Sequence, residues 1–439
     1  MHLVMTLLRW ILGGLCLGVT IFLVSLYIRG AFRWRGLFRI EGPLAPGDAH
    51  FSQVLTSLSH SRLATGNIIG FWSRIDDIQR ARLAAIAAAQ HSIQFETFMM
   101  TPGKRADNFA DAIAQRAIEG VTIQLLVDHY GAKAMGERYW QRLRSAGAQV
   151  IFFNPFDWRA PADYAGRTHR KLLIIDSVQA LIGGAGISDL WDGIEKEDDT
   201  QPWFDVEIAI AGKSVTTLSA IFQSHWQGHR LSSSLVSTVN AKMIEPHAAN
   251  PDHSHSKLLI TPGNKPSYRH SAVRDLKLTL ITCAQQKIWL SSPYFLPNQS
   301  ARQLLIAAQK RGVDVRILTT SERSDKKPVY YASCEVYGPL LAAGIKIFEY
   351  QPSMLHAKLL LIDDTWINTG SANFDYRSFL HNDELDITTN SPKLVKKVIQ
   401  IFEHGFANSH CITLKRWQQR SWLKHRLLGN IVRLVQWQL

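Results

Sequence analysis

One pattern, His-x-Lys-x4-Asp, occurs twice in this chain. The first copy is His169, Lys171 and Asp176; the second is His356, Lys358 and Asp363. The four residues before each Asp are apolar: Leu172 to Ile175, and Leu359 to Ile362. Such a run predicts a buried parallel strand, with His and Lys at alternate positions of one face. A histidine can attack phosphorus or move a proton, and a lysine can hold phosphate oxygens. Each copy therefore looks like half of a phosphoryl-transfer site. Two halves meeting face to face would put two histidines and two lysines around one phosphate. Two ammonium groups would repel a divalent cation, so no metal is expected there, and no cofactor-binding loop stands out in the sequence.

A single His-x-Lys would mean little in a chain with 17 His. Here the surroundings repeat as well. A Gly turn follows each copy at the same distance: Gly183-Gly184-Ala185, and Gly370-Ser371-Ala372. Ile93 to Glu96 matches Ile288 to Ser291 as a strand. Gly120 to Ile123 matches Gly312 to Val315, and Ala146 to Val150 matches Ala343 to Ile347. Helices are expected near Ile78–His91 and Phe109–Glu119. Strands are expected at Ile93–Phe98, Val121–Val127 and Ala148–Phe153. This alternation predicts an α/β sandwich with a mixed or parallel sheet.

The duplicated motif, with Gly370-Ser371-Ala372-Asn373-Phe374-Asp375 after its second copy, resembles the phospholipase D superfamily. Within it the chain is most similar to bacterial cardiolipin synthases, over roughly residues 65–410. Ser292 to Pro297 and Phe348 to His356 carry the same resemblance. It implies two α/β sandwich repeats related by pseudo-twofold symmetry. The expected division is an anchor at 1–28, a neck at 29–65, repeat one at 66–231, a connector with one edge strand at 232–270, repeat two at 271–409 and a tail at 410–439. The resemblance implies that His169 is the nucleophile and His356 the general acid/base; the residues alone leave the two interchangeable. It also implies a carboxylate that fixes each imidazole. Asp205 and Glu384, which follow the Gly turns in corresponding places, are the candidates. Lys171 and Lys358 would steady the phosphate oxygens, with Ser371 and Asn373 adding hydrogen bonds. Asp176 and Asp363 complete the catalytic motif, and holding strand ends by salt bridges suits them better than proton transfer. Repeat one departs from the pattern, with Gly186 in place of Asn373 and Ser188 in place of Asp375.

The remaining features concern partners. Net charge is +13, which favours an anionic partner. Trp10 to Ile28 carries no charge and is long enough, at about 19 residues, to cross a bilayer as a helix. Arg29, Arg33 and Arg35 follow, beside Tyr27 and Trp34, where a cleavable signal would have a small-residue site. The arginine bias puts the body of a single-pass protein on the cytoplasmic side; the resemblance implies that the membrane is the inner membrane of a bacterium. The tail alternates Lys415, Arg416, Arg420, Lys424, Arg426 and Arg433 with Trp417, Trp422, Leu427, Ile431, Val435 and Trp437. Such a segment fits the membrane interface, or docks on the catalytic body, or does both. The connector histidines His247, His253 and His255 lack metal-ligand spacing. Cys16, Cys283, Cys334 and Cys411 form no disulfide framework, in keeping with a reducing compartment. Together with the resemblance, the anchor and the tail lead to the expectation of a phosphatidyltransferase that makes cardiolipin from phosphatidylglycerol through a phosphohistidine. Phospholipid hydrolysis, a nuclease and an inactive membrane scaffold are the alternatives. A nucleic-acid partner is disfavoured because it leaves the anchor and the tail unexplained.

Overall fold

The two apolar motif runs do become strands, each buried along its whole length. The computed structural model describes residues 2–31, 38–158, 163–193, 201–230, 256–263 and 271–434. Arg33, Trp34, Arg35, the connector histidines, Val435 and Trp437 lie outside these residues. The first half supplies β1 (Arg62–Trp72), β2 (Ser92–Thr97), β3 (Thr122–Asp128), β4 (Gln149–Phe153), β5 (Leu172–Ile175), β6 (Gln179–Gly183) and β7 (Glu207–Ala211). The second half repeats the series as β8 (Ser256–Gly263), β9 (Lys287–Ser292), β10 (Asp314–Thr320), β11 (Lys346–Tyr350), β12 (Leu359–Ile362), β13 (Trp366–Gly370) and β14 (Glu384–Thr389). A last strand, β15 (Ser409–Ile412), is added at one edge.

All of these join one mixed sheet. Its order is β15-β11-β10-β9-β12-β13-β14-β8-β1-β7-β6-β5-β2-β3-β4. Read outward from the β1–β8 pair, both halves follow the same order, which is the pseudo-twofold expected. β8 comes from the segment assigned as a connector, where an edge strand was expected. It sits instead at the centre, antiparallel to both β1 and β14.

The motif strands are not parallel. β5 runs antiparallel to β2 and β6, and β12 antiparallel to β9 and β13. The turn after each strand explains this. Asp176-Ser177 and Asp363-Asp364 all have φ between 50° and 54°, the left-handed pair that closes a tight hairpin. Helices cover both faces of the sheet, so an apolar run looks the same in either direction. His169 and Lys171 lie just upstream of β5, and His356 and Lys358 just upstream of β12, rather than within the strands.

Packing makes the halves one body. One outer core lies within the first half, and the other is built mainly from the second half with Phe51 and Leu55 of the helix Phe51–Ser59 added. The central core mixes both: Ile174, Phe222 and Trp226 with Leu361, Ile387 and Phe402. The helices Lys213–Arg230 and Pro392–Ala407 carry these aromatic residues onto the shared face. Truncating Ile174 or Leu361 to Ala would cost about 2–5 kcal/mol, since neither site can collapse freely. The N-terminal helix His2–Ala31 stands apart, with Val4–Ser25 apolar, unburied and long enough to span a membrane.

Candidate active site

Each histidine is held by the other half of the chain. The His169 amide donates to the Asp383 carbonyl (2.8 Å), and the His356 amide to the Phe204 carbonyl (2.7 Å). Short parallel bridges, Thr168 with Asp383 and Phe204 with Leu355, cross at the same places. The residues after these bridges are the two expected carboxylates. Asp205 Oδ2 lies 2.7 Å from His356 Nδ1, and Glu384 Oε2 lies 3.1 Å from His169 Nδ1. The carboxylate of one repeat thus serves the histidine of the other.

These contacts set the tautomers. His169 Nδ1 also lies 3.1 Å from the Ser371 carbonyl oxygen, which can only accept. Nδ1 therefore carries the proton, and Nε2 keeps its lone pair. Burial and then the Lys171 and Lys358 charges push His169 well below its ordinary value. Burial and Lys358 take His356 down to about 4. The lysines respond to the same dry setting. Burial pushes Lys171 well down and brings Lys358 to about 8. Lys171 Nζ donates to the His169 carbonyl (2.7 Å), and Lys358 Nζ to that of His356.

The two carboxylates differ in charge. Burial raises Glu384 to about 7, against the pull of Lys171. Burial would raise Asp205 too, but His356 and Lys358 outweigh it and hold it at about 2. Trp191 Nε1 adds a hydrogen bond to Asp205 (3.0 Å). Gly184 makes room for this carboxylate, since a Cβ there would lie 2.3 Å from Asp205 Oδ1.

The family described as "Cardiolipin synthase, PLD-like domain" matches residues 83–226 and 278–405, one stretch in each half. The chain belongs to this phospholipase D-like family. It is 30% identical over 351 residues to a cardiolipin synthase of Geobacillus thermodenitrificans, covering 79% of this chain and 67% of that protein. It is 29% identical over 361 residues to cardiolipin synthase 2 of Bacillus anthracis, covering 82% and 68%. Among solved structures, a phosphatidylserine synthase of Haemophilus influenzae Rd KW20 has the same fold. The TM-score is 0.65 at 14% identity, over 88% of this chain and 99% of that one.

Several expected residues of this phospholipase D-like site take other places. Asp176 and Asp363 lie beyond the far ends of β5 and β12 from the histidines. Each caps three backbone N–H groups: Gln90, His91 and Ser92 for Asp176, and Gln285, Gln286 and Lys287 for Asp363, at 2.7–2.9 Å. Backbone capping stands where ion pairs were expected. The Ser371 hydroxyl donates to Glu384, so it orients that carboxylate. Asn373 is buried, and among the described residues its amide oxygen has no hydrogen-bond partner. Ser188 and Asp375 differ chemically but act alike. Each accepts a backbone N–H at the start of a short helical turn, from Leu190 and Ser378.

Other site residues carry no motif. Trp191 and Trp203 flank His356, with ring centroids at 5.2 and 5.8 Å, and Phe98 meets His169 edge-on. Tyr294 donates to Asp325 (2.7 Å) beneath Lys326. His225 bridges the halves, with Nδ1 2.7 Å from Glu96 and Nε2 2.8 Å from Asp383. Only an imidazolium can donate to two carboxylates at once. His225 accordingly sits above its ordinary value. Burial and Arg170 oppose that rise, and Glu96 and Asp383 cause it. Its place on the helix Lys213–Arg230, far from either motif in sequence, left it unmarked.

Proposed function

We propose that this chain is a membrane-bound phosphatidyltransferase that makes cardiolipin and glycerol from two molecules of phosphatidylglycerol. The observation that carries this is the pair of crossed histidine–carboxylate contacts, with a lysine beside each histidine, in a chain of the cardiolipin synthase family. His169 Nε2 attacks phosphorus and an N–P bond forms. The P–O bond to the leaving glycerol breaks, and that oxygen takes a proton from His356. The hydroxyl of a second phosphatidylglycerol then gives its proton to His356, and its oxygen attacks phosphorus. The N–P bond breaks and cardiolipin leaves.

The charges suit these roles. A bound phosphodiester anion offsets the two ammonium groups and so raises the proton affinity of His356. The anionic Asp205 stabilises the imidazolium as it forms. The near-neutral Glu384 leaves His169 as an uncharged nucleophile. Lys171, Lys358 and Asn373 face the phosphate oxygens in this reading. Trp191, Trp203, Phe98 and Tyr294 keep water from the reacting phosphorus, which favours an alcohol acceptor over hydrolysis.

The helix around Val4–Ser25 serves as the anchor, in the inner membrane of a bacterium, with the catalytic body on the cytoplasmic side. The tail also meets the lipid. It docks on the body through Trp417 and Arg420, while Trp422, Leu423, Leu427 and Ile431 remain exposed. The test is the full-length protein in mixed micelles with labelled phosphatidylglycerol, products being separated by mass. Cardiolipin and glycerol should appear, and both His169→Ala and His356→Ala should abolish them. Phosphatidic acid alone would make water the acceptor. No lipid turnover would remove the lipid reading altogether.

A further inference from the structure

A cavity of about 600 Å³ lies apart from the two histidines, and none of the residues that surround them lines it. Its buried lining includes Tyr330, Cys334, Tyr337 and Glu349, and its exposed rim includes Arg416 and His410. Arg323, half-buried, lies on the same wall. The tail roofs it: Trp417 Nε1 donates to the Cys334 carbonyl (2.7 Å), and His425 packs edge-on against Tyr331 (5.0 Å).

The chemistry of the lining is graded. Tyr330 directs its hydroxyl at Glu349 (3.2 Å), and burial raises that carboxyl to about 7. The floor therefore carries hydroxyl groups and a carboxyl that is half-neutral near neutral pH. The outer part carries the guanidinium groups of Arg323 and Arg416 beside the carboxylate of Glu322. Arg420 is occupied by its pair with Glu335 and by the face of Trp417, so it does not set the charge. Such a lining suits a ligand with a phosphate at its outer end and hydroxyls at its inner end. A free ammonium group would meet the arginines first.

Two placements join the cavity to lipid chemistry. The tail that roofs it exposes Trp422, Leu423, Leu427, Leu428, Ile431 and Leu434 on its outer side. Exposed Trp and Leu on a basic segment suit the bilayer interface, and the tail that carries them also lines the cavity. Residues 321–326 also border both sites. Ser321, Glu322 and Arg323 line the cavity, while Asp325 and Lys326 contact Tyr294 of the active site.

We propose that this cavity is a second binding site for the headgroup of an anionic phospholipid, with phosphate between Arg323 and Arg416 and headgroup hydroxyls against Tyr330, Tyr337 and Glu349. It rests on the membrane-lipid reading above and adds a site distinct from the reaction centre. The test uses full-length His169→Ala protein, which under that reading does not turn lipid over, and dihexanoyl phosphatidylglycerol below its micelle threshold. Equilibrium dialysis gives the stoichiometry, and hydrogen exchange locates the site. Two bound lipids are expected, with protection over residues 327–337 and 414–425. Adding Arg416→Ala should weaken one of the two about tenfold and remove that protection. One bound lipid in both proteins, with no protection there, overturns the proposal. Protection by glycerol 3-phosphate or inorganic phosphate but not by the lipid also overturns it, making the ligand a soluble phosphate. The transfer assay separates the two readings. Failed transfer with cavity protection retained faults only the proposed reaction, and transfer without protection faults only the cavity.

Discussion

Asp205 and Glu384 hold equivalent positions but differ in charge near neutral pH, and that difference gives two predictions at the scale of single residues. Asp205 is a firm anion at about 2, whereas Glu384 titrates at about 7. Asp205→Asn removes a charge that stabilises the protonated His356, so transfer should fall about 10²-fold or more. Glu384→Gln should cost less than about tenfold at pH 6, where Glu384 is mostly protonated, and more above pH 7. Transfer rates of both variants across pH 6–8.5 (roughly the useful range) check this, and equal losses at every pH would refute it. Stability carries the second prediction. Folding raises Glu384 from 4.5 to about 7, so the folded chain holds the extra proton in that window, and this group lowers stability as pH rises. Folding lowers His356 from 6.5 to about 4, so the unfolded chain holds the extra proton there, and stability rises with pH. His169 has the same sign as His356. The slopes oppose each other between pH 4.5 and 6.5. In urea unfolding, Glu384→Gln should therefore gain stability with pH more steeply over that window than the parent does. An identical slope would mean that Glu384 titrates normally in the fold.

Among the elements, the motif hairpins show what a sequence can and cannot disclose. The strands themselves were legible, because four apolar residues between polar neighbours have few other uses. Their direction was not, because helices cover both faces and leave no polar alternation to read. It was set by the left-handed pairs at Asp176-Ser177 and Asp363-Asp364, which single residues signal weakly. The two histidines, two lysines and two carboxylates were visible because the chain states them twice. Ser371 was visible as a site residue but not in its role, since its hydroxyl turns to Glu384. Trp191, Trp203 and His225 were not visible, because each stands once and is brought in by packing. Asp363→Ala isolates the hairpin's contribution. It leaves three N–H groups without their acceptor and should cost about 1–3 kcal/mol, seen as a lower Tm. KM and kcat of the folded fraction should hold, since this residue lies beyond the far end of β12 from His356. A large kcat loss at unchanged Tm would instead give the carboxylate a part in proton transfer.

At the scale of the molecule, the proposed function divides attachment to lipid between two ends of the chain. The N-terminal helix makes no part of the sheet, and the tail is pinned to the body through Glu335 and Cys334. A chain beginning at residue 38 should keep its fold and still sediment with vesicles containing phosphatidylglycerol. About 0.5 M salt should weaken that binding, because the tail's attraction is partly ionic. Trp422→Glu with Leu427→Glu, in the shortened chain, should abolish it. Release of the shortened chain without these changes would confine attachment to the first helix. The crossed carboxylates have a wider consequence, one of ancestry. An arrangement in which each copy completes the other is the arrangement of a symmetric dimer. Within one polypeptide the two copies need not match, and Arg170 and Ala357, or Gly186 and Asn373, differ at equivalent places. Neither copy could then be discarded, because losing one removes the partner of the other's histidine. The duplication works as a ratchet: it permits divergence between the halves and forbids their separation.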